Sequence, residues 1–323
     1  MWHAMNSLQK ETNRDFVILN ITDTQITAEE LQNKSNALTT VCGTTSALVE
    51  KVRPDLITVT GDLTYGGSVP VYEFYADFMD TFGIKWTFVW GNHDNQAGIA
   101  ETRKAESVFA SHPLCLFERG DEALGSGNYC IDITENGVPV ETLIFIDSHD
   151  RVSYGDGTAY AKLIPEQLEW YRAQIAASTA RGCKESTIFL HIPIYAFNDA
   201  YSAAMKDPEY KPYIAESYGK SIWNEGYTDS FGVKYEKICS HPEDDGVFDT
   251  VCELGHTKNI IAGHEHINNF SIPYRGVRLT YALKTGSGCY WNRELNGGTV
   301  IKVGSAGVSD IFHVYVDPCE YLN

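Results

Sequence analysis

Short apolar runs alternate with stretches of helical spacing through the first part of the chain. The runs at 15–21, 55–61 and 86–91 are rich in apolar and β-branched residues and predict buried strands. Between the first two, residues 28–52 have a loosely helical spacing of apolar positions, with Gly43 as an expected interruption. This order of strands and helices predicts a parallel sheet with crossover helices.

Further strands and one clear helix are predicted in the second part of the chain. Asn136-Gly137 suits a tight turn and predicts a hairpin between strands at 129–133 and 141–147. Pro165 begins a helix that is predicted over 165–178. The remaining predicted strands are 186–191, 259–263 and three C-terminal runs, VRLTYAL, TVIKV and DIFHVYV, which look like consecutive antiparallel strands.

A single domain over residues 1–323, containing two sheets, is the simplest organisation. Residues 1–14 are polar and are predicted to form a flexible lead. Residues 198–246 are polar, aromatic and irregular, and a connection of this length indicates an insertion near a functional site. The aromatic residues of 195–235 are expected to form either a pocket wall or a separate hydrophobic cluster.

Polar side chains follow five of the predicted strands at the points where they end. Because sites in open α/β sheets form outside the carboxyl ends of the strands, these side chains are expected to converge on one place. The five groups are Asp23 with Gln25, Asp62 with Tyr65, Asn92 with His93 and Asp94, His191 alone, and His264 with His266.

Carboxylate, amide and imidazole ligands together suit divalent or trivalent metal ions. Several such groups buried in one place would be costly without a compensating cation. Two ions would need a bridging anionic ligand, and Asp62, in a glycine-rich turn after a strand, is the natural candidate.

The charge of the chain limits the partners that it is expected to bind. Its formal net charge of -18 disfavours long nucleic acid and anionic membranes. No apolar stretch approaches the roughly 20 residues of a membrane span, and the N-terminus lacks the apolar core of a signal peptide. We therefore expect a soluble chain with no long nucleic acid, membrane or protein partner and no predicted compartment.

The motifs D-x-Q, G-D, G-N-H-D, a single histidine after an apolar strand, and G-H-x-H occur in the order typical of one superfamily. Together they resemble the calcineurin-like metallophosphoesterases, and the resemblance spans Asp23 to His266. The stretches "IPEQLEWY", "FLHIPIYAF" and "IIAGHEHINNF" are most similar to the purple-acid-phosphatase-like branch of plants and fungi. The resemblance implies a four-layer α/β/β/α sandwich of two mixed β-sheets flanked by helices.

The same resemblance implies a division of the ligands between two divalent or trivalent metal ions, with Fe, Mn and Zn all plausible. The first ion would be held by Asp23, Asp62 and His266, with Gln25 as a weaker ligand, and the second by Asp62, Asn92, His191 and His264.

Gln25 and Tyr65 raise two questions about the first ion. Gln25 stands where the common pattern has a histidine, and its neutral oxygen would either coordinate more weakly or bind the ion through water. Tyr65 resembles the tyrosine through which purple acid phosphatases bind ferric iron, and the alternative for it is an aromatic wall beside the site. A phenolate ligand requires a strongly acidic metal, because the pKa of tyrosine is ordinarily about 10.

His93 is expected to be catalytic and to contact the substrate. The family implies a small phosphorylated substrate and hydrolysis of its phosphate ester by a metal-bridging hydroxide, with His93 as the general acid and Asp94 orienting its ring. Asn92 and His93 would bind the phosphoryl group. His149, which follows a strand, is a further candidate for binding substrate, with capping of a loop as the alternative.

Two alternatives to a phosphomonoesterase stay open. The same metal core would serve a phosphodiesterase or nucleotide pyrophosphatase. A non-catalytic, metal-binding scaffold is the other alternative, and Gln25 is the feature that favours it.

Overall fold

Two large β-sheets form the centre of the protein, and helices cover their outer faces. The computed structural model describes residues 6–206 and 223–322. Its strands are β1 Asn6–Gln9, β2 Phe16–Ile21, β3 Leu56–Thr60, β4 Lys85–Val89, β5 Tyr129–Glu135, β6 Val138–Phe145, β7 Arg151–Tyr154, β8 Gly157–Tyr160, β9 Ser186–Leu190, β10 Thr257–Ala262, β11 Ser271–Tyr274, β12 Val277–Tyr281, β13 Gly297–Gly304 and β14 Gly307–Tyr315. Its helices are α1 Ala28–Asn33, α2 Asn36–Val52, α3 Val69–Asp80, α4 Ile99–Ala110, α5 Pro165–Ala180, α6 Ala196–Ala204 and α7 Val247–Leu254, with short 3-10 helices at Glu122–Leu124 and Pro318–Tyr321.

The first large sheet has seven strands in the order β1-β5-β6-β9-β10-β12-β11. The second has five strands in the order β14-β13-β2-β3-β4, and β7 and β8 form a separate hairpin. β2, β3 and β4 are parallel, as the alternation of strands and helices predicts. β5 and β6 form the expected hairpin, with Asn136 and Gly137 both at positive φ in the turn.

Three hydrophobic clusters define the layers of the molecule. One lies between the sheets and includes Ile18 and Ile301 from the five-stranded sheet and Phe145 and Phe189 from the seven-stranded sheet. A second packs α2, α3 and α4 against the five-stranded sheet. The third packs α5, α6 and α7 against the seven-stranded sheet. The four-layer α/β/β/α sandwich of two mixed sheets is thus confirmed.

The helix predicted over 28–52 is in fact two helices, and the interruption is not at Gly43. α1 ends at Asn33, the next residue, Lys34, adopts a left-handed conformation with φ 49°, and the Ser35 side chain caps α2. Gly43 lies inside α2, where a β-carbon would come within 2.6 Å of the Tyr321 ring. Gly43 is therefore used for close contact with the C-terminal segment rather than for a break.

We expect Gly43→Ala to lower the free energy of unfolding by about 1 kcal/mol, although alanine is the better helix former. The overlap with Tyr321 should outweigh the gain of roughly 0.5–1 kcal/mol from helix propensity. Urea unfolding measures the difference. In a Tyr321→Ala background the same substitution should be stabilising, and a stabilising effect in both backgrounds would contradict the steric explanation.

Two other predictions need correction. Residues 6–9 do not belong to a flexible lead, because β1 pairs in parallel with β5. The three C-terminal runs are not one antiparallel series. β12 pairs in parallel with β10 in the seven-stranded sheet, whereas β13 and β14 pair with each other in the five-stranded sheet.

The predicted insertion at 198–246 begins inside α6 and is irregular after residue 223. Phe197, Tyr201 and Trp223 are buried in the main core against the seven-stranded sheet, so these aromatic residues are neither a separate cluster nor a pocket wall. Tyr195, by contrast, lines a surface cavity. Tyr210, Tyr213 and Tyr218 lie outside the described residues. Within the described ranges, none of the helices has the length and apolar character needed to cross a bilayer.

Candidate metal centre

The predicted metal ligands come from both large sheets. Asp23, Asp62 and Asn92 follow β2, β3 and β4 of the five-stranded sheet. His191 follows β9 of the seven-stranded sheet, and His264 with His266 follows β10. The site therefore forms where the carboxyl ends of two neighbouring sheets meet.

Four of these positions have an unusual backbone conformation. Asp23, Gln25, Asp62 and His264 adopt φ values of 55°, 48°, 51° and 82°, respectively. Such conformations cost non-glycine residues roughly 1–3 kcal/mol each and concentrate at functional sites. Hydrogen bonds between the loops compensate: the Asp23 amide donates to Gly61 O, and the Gln25 amide donates to Asp62 O.

Glycines in the sequence motifs permit the loops to approach one another. A β-carbon at Gly91 would overlap the Asp62 carboxylate, and one at Gly61 would lie within 2.8 Å of the His191 side chain. A β-carbon at Gly263 would come within 2.6 Å of the Thr60 carbonyl oxygen. The glycines of the "GD", "GNH" and "GHEH" motifs thus serve close packing around the site.

The side chains of the cluster are buried and mutually close. Ligand atoms of Asp23, Asp62 and His191 all lie within 4.8 Å of one another. His191 Nε2 is 3.4 Å from Asp62 Oδ1, 3.2 Å from Asn92 Oδ1 and 3.2 Å from His264 Nδ1. His266 Nε2 lies 3.5 Å from Asp23 Oδ1.

Carbonyl oxygens behind the site fix two of the imidazole rings. His191 Nδ1 donates to the Thr60 carbonyl over 2.8 Å, and His266 Nδ1 donates to the Tyr290 carbonyl over 2.7 Å. Each bond directs the Nε2 atom of the ring toward the carboxylates. This is the arrangement by which outer hydrogen bonds orient metal-binding histidines.

Electrostatic coupling perturbs the ionisable groups of the cluster strongly. Burial would lower the pKa of His191, but the charge and hydrogen bond of Asp62 raise it to about 10. Burial and the nearby His191 lower the pKa of His264 to about 3. Burial would raise the pKa of Asp23, but the interaction with His266, whose Nε2 lies 3.5 Å from Asp23 Oδ1, lowers it. Strong perturbation of this kind is typical of functional sites.

The donor set fits metal ions, and two buried atoms support this. Asp23 Oδ1 and Gln25 Oε1 are buried and have no hydrogen-bond partner among the described residues. Unpaired buried oxygens beside carboxylates and imidazoles are costly unless a cation satisfies them. The residues present are therefore suited to hold metal.

Gln25 joins the cluster through its amide group. Its Nε2 donates to Asp62 Oδ2 over 2.9 Å, which leaves Oε1 as the unpaired atom. An oxygen ligand is thus available at this position, and direct coordination by Gln25 stays a prediction.

The ring of Tyr65 stacks on the imidazole of His93, with centroids 4.2 Å apart and planes 20° apart. Its side chain is 42% exposed. Both observations favour the aromatic wall over the phenolate ligand, because stacking fixes the imidazole without using the hydroxyl. Coordination by Tyr65 stays a prediction.

Tyr65→Phe should therefore keep the metal content and at least about half of the activity of the native protein. Tyr65→Ala should lose more of the activity, because the His93 ring becomes free to turn. Elemental analysis and steady-state assays of both variants measure the difference. A Phe variant that loses metal would instead establish the phenolate ligand.

The expected pairing of Asp94 with the His93 ring is not what the structure has. The Asp94 carboxylate accepts from the backbone amides of Gly91, Leu63 and Thr64. Burial and the charge of Asp62 raise the pKa of Asp94 to about 7. Asp94 therefore braces the loops after β3 and β4. Gln96 holds the ring instead, because its Nε2 lies 2.6 Å from His93 Nδ1.

His149 is directed toward neighbouring residues outside the metal cluster. Its Nε2 lies 2.8 Å from Gln167 Oε1, and its backbone amide donates to Asp147 Oδ1. These contacts support the alternative of a loop cap, and binding of substrate by His149 stays a prediction.

Lys284 and Tyr290 are parts of the site that the sequence motifs do not include. Lys284 is buried, and its Nζ donates to the Asp23 carbonyl over 2.6 Å. Burial lowers the pKa of Lys284 to about 8. Tyr290 stacks on the His266 ring at a centroid distance of 4.0 Å. A lysine closely following the apolar run of β12 is the one signal in the sequence that points to this part of the site.

Comparison with known proteins agrees with this geometry. A family model for the calcineurin-like phosphoesterase domain matches residues 16–268. "Probable inactive purple acid phosphatase 14" of Arabidopsis thaliana is 26% identical over 264 residues, covering 71% of this chain and 58% of that protein. "Probable inactive purple acid phosphatase 28" of the same plant is 26% identical over 278 residues, covering 76% and 63%. The chain thus spans about three fifths of the length of these relatives.

Solved structures show the same fold. A dimetal phosphatase from Danio rerio has a TM-score of 0.56 at 14% identity, covering 94% of this chain and 99% of that one. GAP50, described as the anchor in the inner membrane complex of Plasmodium, has a TM-score of 0.50 at 11% identity, covering 96% and 93%. At these identities the likeness concerns the fold alone. With the family match over most of its length and its clustered carboxylates and histidines, the chain belongs to the calcineurin-like phosphoesterase family.

Proposed function

We propose that this chain hydrolyses phosphate esters at a centre of two metal ions. The observation that carries the proposal is the buried cluster of Asp23, Asp62 and His191, in which Asp23 Oδ1 accepts no hydrogen bond from any described residue. When bound, two metal ions would supply a hydroxide nucleophile at moderate pH and polarise the phosphoryl group.

The contacts support the division of ligands that the resemblance implies. His266 lies beside Asp23, whereas Asn92 and His264 both lie beside His191. Asp62 is close to His191 and accepts a hydrogen bond from Gln25, so it contacts candidate ligands of both ions. In the proposal, Asp23, Gln25, Asp62 and His266 hold one ion, and Asp62, Asn92, His191 and His264 hold the other.

His93 is suited to act on the substrate. Its ring is partly exposed, and its Nε2 lies 4.0 Å from Asp62 Oδ2, at the edge of the cluster. Stacking on Tyr65 and contact with Gln96 restrict its orientation. In the proposal it donates a hydrogen bond to the phosphoryl group and a proton to the leaving oxygen.

A non-catalytic, metal-binding role is the second candidate. The specific observation in its favour is Gln25, whose amide donates to Asp62 and replaces an imidazole ligand. The plant relatives that resemble this chain are themselves named probable inactive phosphatases.

Metal content and activity together separate the candidates. We expect close to two equivalents of Fe, Mn or Zn after growth with added metal, and hydrolysis of p-nitrophenyl phosphate or bis-p-nitrophenyl phosphate. The ratio of the two rates distinguishes a monoesterase from a diesterase or nucleotide pyrophosphatase. Bound metal without hydrolysis of either ester would favour the non-catalytic role. Less than one equivalent of metal would contradict the two-metal centre.

A further inference from the structure

A surface cavity of about 420 Å³ opens beside the candidate metal centre. One side is the β7–β8 hairpin, and the other is the segment 237–242 of the irregular region. Tyr160, which lines the cavity, contacts the imidazole of His264 edge to face at a centroid distance of 4.5 Å. Tyr160 therefore borders both the cavity and the metal centre.

Two cationic side chains, Arg151 and Lys237, line this cavity in a chain with a net charge of -18. The Arg151 guanidinium lies 4.6 Å above the Tyr160 ring and donates to Tyr160 Oη over 2.9 Å. Both contacts are with a neutral group, so they orient the guanidinium without neutralising it.

Most arginines in the described part of the chain are bound to carboxylates, which makes Arg151 unusual. Arg14, Arg172 and Arg275 have carboxylate partners within 4 Å, as do Arg181 and Arg293. Neither Arg151 nor Lys237 takes part in such an ion pair with any described residue. Burial raises the pKa of the neighbouring Asp150, and the charge of Arg151 opposes this shift.

The remaining walls provide neutral polar groups and aromatic surface. Asn198 Nδ2 donates to Ser240 Oγ over 3.0 Å, and both residues line the cavity with Tyr195. Lys162, close by, is bound by Glu243, so that carboxylate is already paired. The lining thus combines two cations that form no ion pair with a described residue with hydrogen-bonding and aromatic groups, which suits an organic anion.

We propose that this cavity receives the leaving group of the substrate and selects phosphate esters whose leaving group carries a second anionic group, a carboxylate or a phosphate. The inference rests on the proposed function. Arg151 would bind the second anion through paired N–H donors, for which the planar guanidinium is suited, and Lys237 would add a point charge. Tyr160 holds the guanidinium in place and forms the wall shared with the metal centre.

The test compares two esters that differ by one carboxylate, 3-phosphoglycerate and glycerol 3-phosphate. Their inhibition constants are measured against hydrolysis of p-nitrophenyl phosphate by the metal-loaded protein. We expect 3-phosphoglycerate to bind at least about 10-fold more tightly, equivalent to about 1.4 kcal/mol. Arg151→Gln should reduce this ratio to within about 2-fold, and Lys237→Met should reduce it in part.

Arg275→Gln is the matched control, because it removes the same charge from an exposed arginine that pairs with Asp249. It should preserve the ratio of the native protein. A ratio near one in the native protein, or a ratio that survives Arg151→Gln and Lys237→Met together, would overturn the subsite and leave the phosphoesterase proposal intact. Absence of hydrolysis of any ester would instead contradict the proposed function itself.

Discussion

Asp62→Asn is expected to lower turnover of p-nitrophenyl phosphate by about 1,000-fold or more, a loss of roughly 4 kcal/mol of transition-state stabilisation. The Asp62 carboxylate contacts candidate ligands of both ions, because it lies 3.4 Å from His191 Nε2 and accepts from Gln25 Nε2. The substitution removes the charge proposed to hold both ions, so metal content should fall with activity. Steady-state kinetics and elemental analysis on the same preparation provide the two measurements.

The substitution Asp62→Asn should not unfold the protein. Asp62 Oδ1 accepts from the His93 amide, a bond that the oxygen of the new asparagine side chain retains. Its Oδ2 accepts from Gln25 Nε2, and a rotated Gln25 amide would present the unpaired Oε1 to the new NH2 group. Burial and repulsion from Asp23 both disfavour the charged form of Asp62, although His191 keeps its pKa below the usual value. The amide variant is free of both costs.

Glu141→Gln is a matched control for Asp62→Asn. Glu141 is also a buried acid, and burial raises its pKa to about 8, so it is mostly neutral at pH 7. It lies in β6 and accepts from the Thr187 hydroxyl. Its amide variant should retain native activity and metal. An Asp62→Asn protein that also keeps both would refute the proposed centre.

His93→Asn is expected to lower turnover by about 100- to 10,000-fold while the metal content is unchanged, because removal of a general acid leaves the ligands intact. The loss should be larger for phenyl phosphate than for p-nitrophenyl phosphate, since phenol is the poorer leaving group and depends more on protonation. Turnover of both esters and metal analysis measure the effect.

His112→Asn provides the control for His93→Asn. His112 Nδ1 lies 2.8 Å from Asp80 Oδ2, at the end of α3, and the control should leave turnover of both esters unchanged. Equal losses on the two esters in His93→Asn would contradict the role of an acid. Loss of metal would show that the imidazole is needed to form the centre.

The convergence of the predicted ligands could be derived from the sequence because strand ends are a strong constraint. Asp23, Asp62 and Asn92 each follow a strand of one parallel set, so their side chains must lie at one edge. His191 and His264 follow two parallel strands of the other sheet in the same way. Strand periodicity is local and therefore readable from a single chain.

The predictions that were wrong depend on contacts between segments that are distant in the sequence. The sequence predicts that Asp94 pairs with the neighbouring His93. In the structure the Asp94 carboxylate accepts from the amides of Gly91, Leu63 and Thr64, and the last two belong to the loop after β3. Similarly, Gly43 suggests a helix break, and only the position of Tyr321 explains why it lies within α2. Sequence spacing carries no information on such pairings.

The origin of the candidate ligands in two different sheets has a consequence for folding. Neither sheet alone supplies all the candidate ligands, because the aspartates follow strands of the five-stranded sheet and the histidines follow strands of the seven-stranded sheet. The full set of candidate ligands is therefore assembled only after the two halves of the sandwich dock through residues such as Ile18 and Phe189. Metal uptake during refolding would thus be a late event, and its rate would report how fast the core assembles.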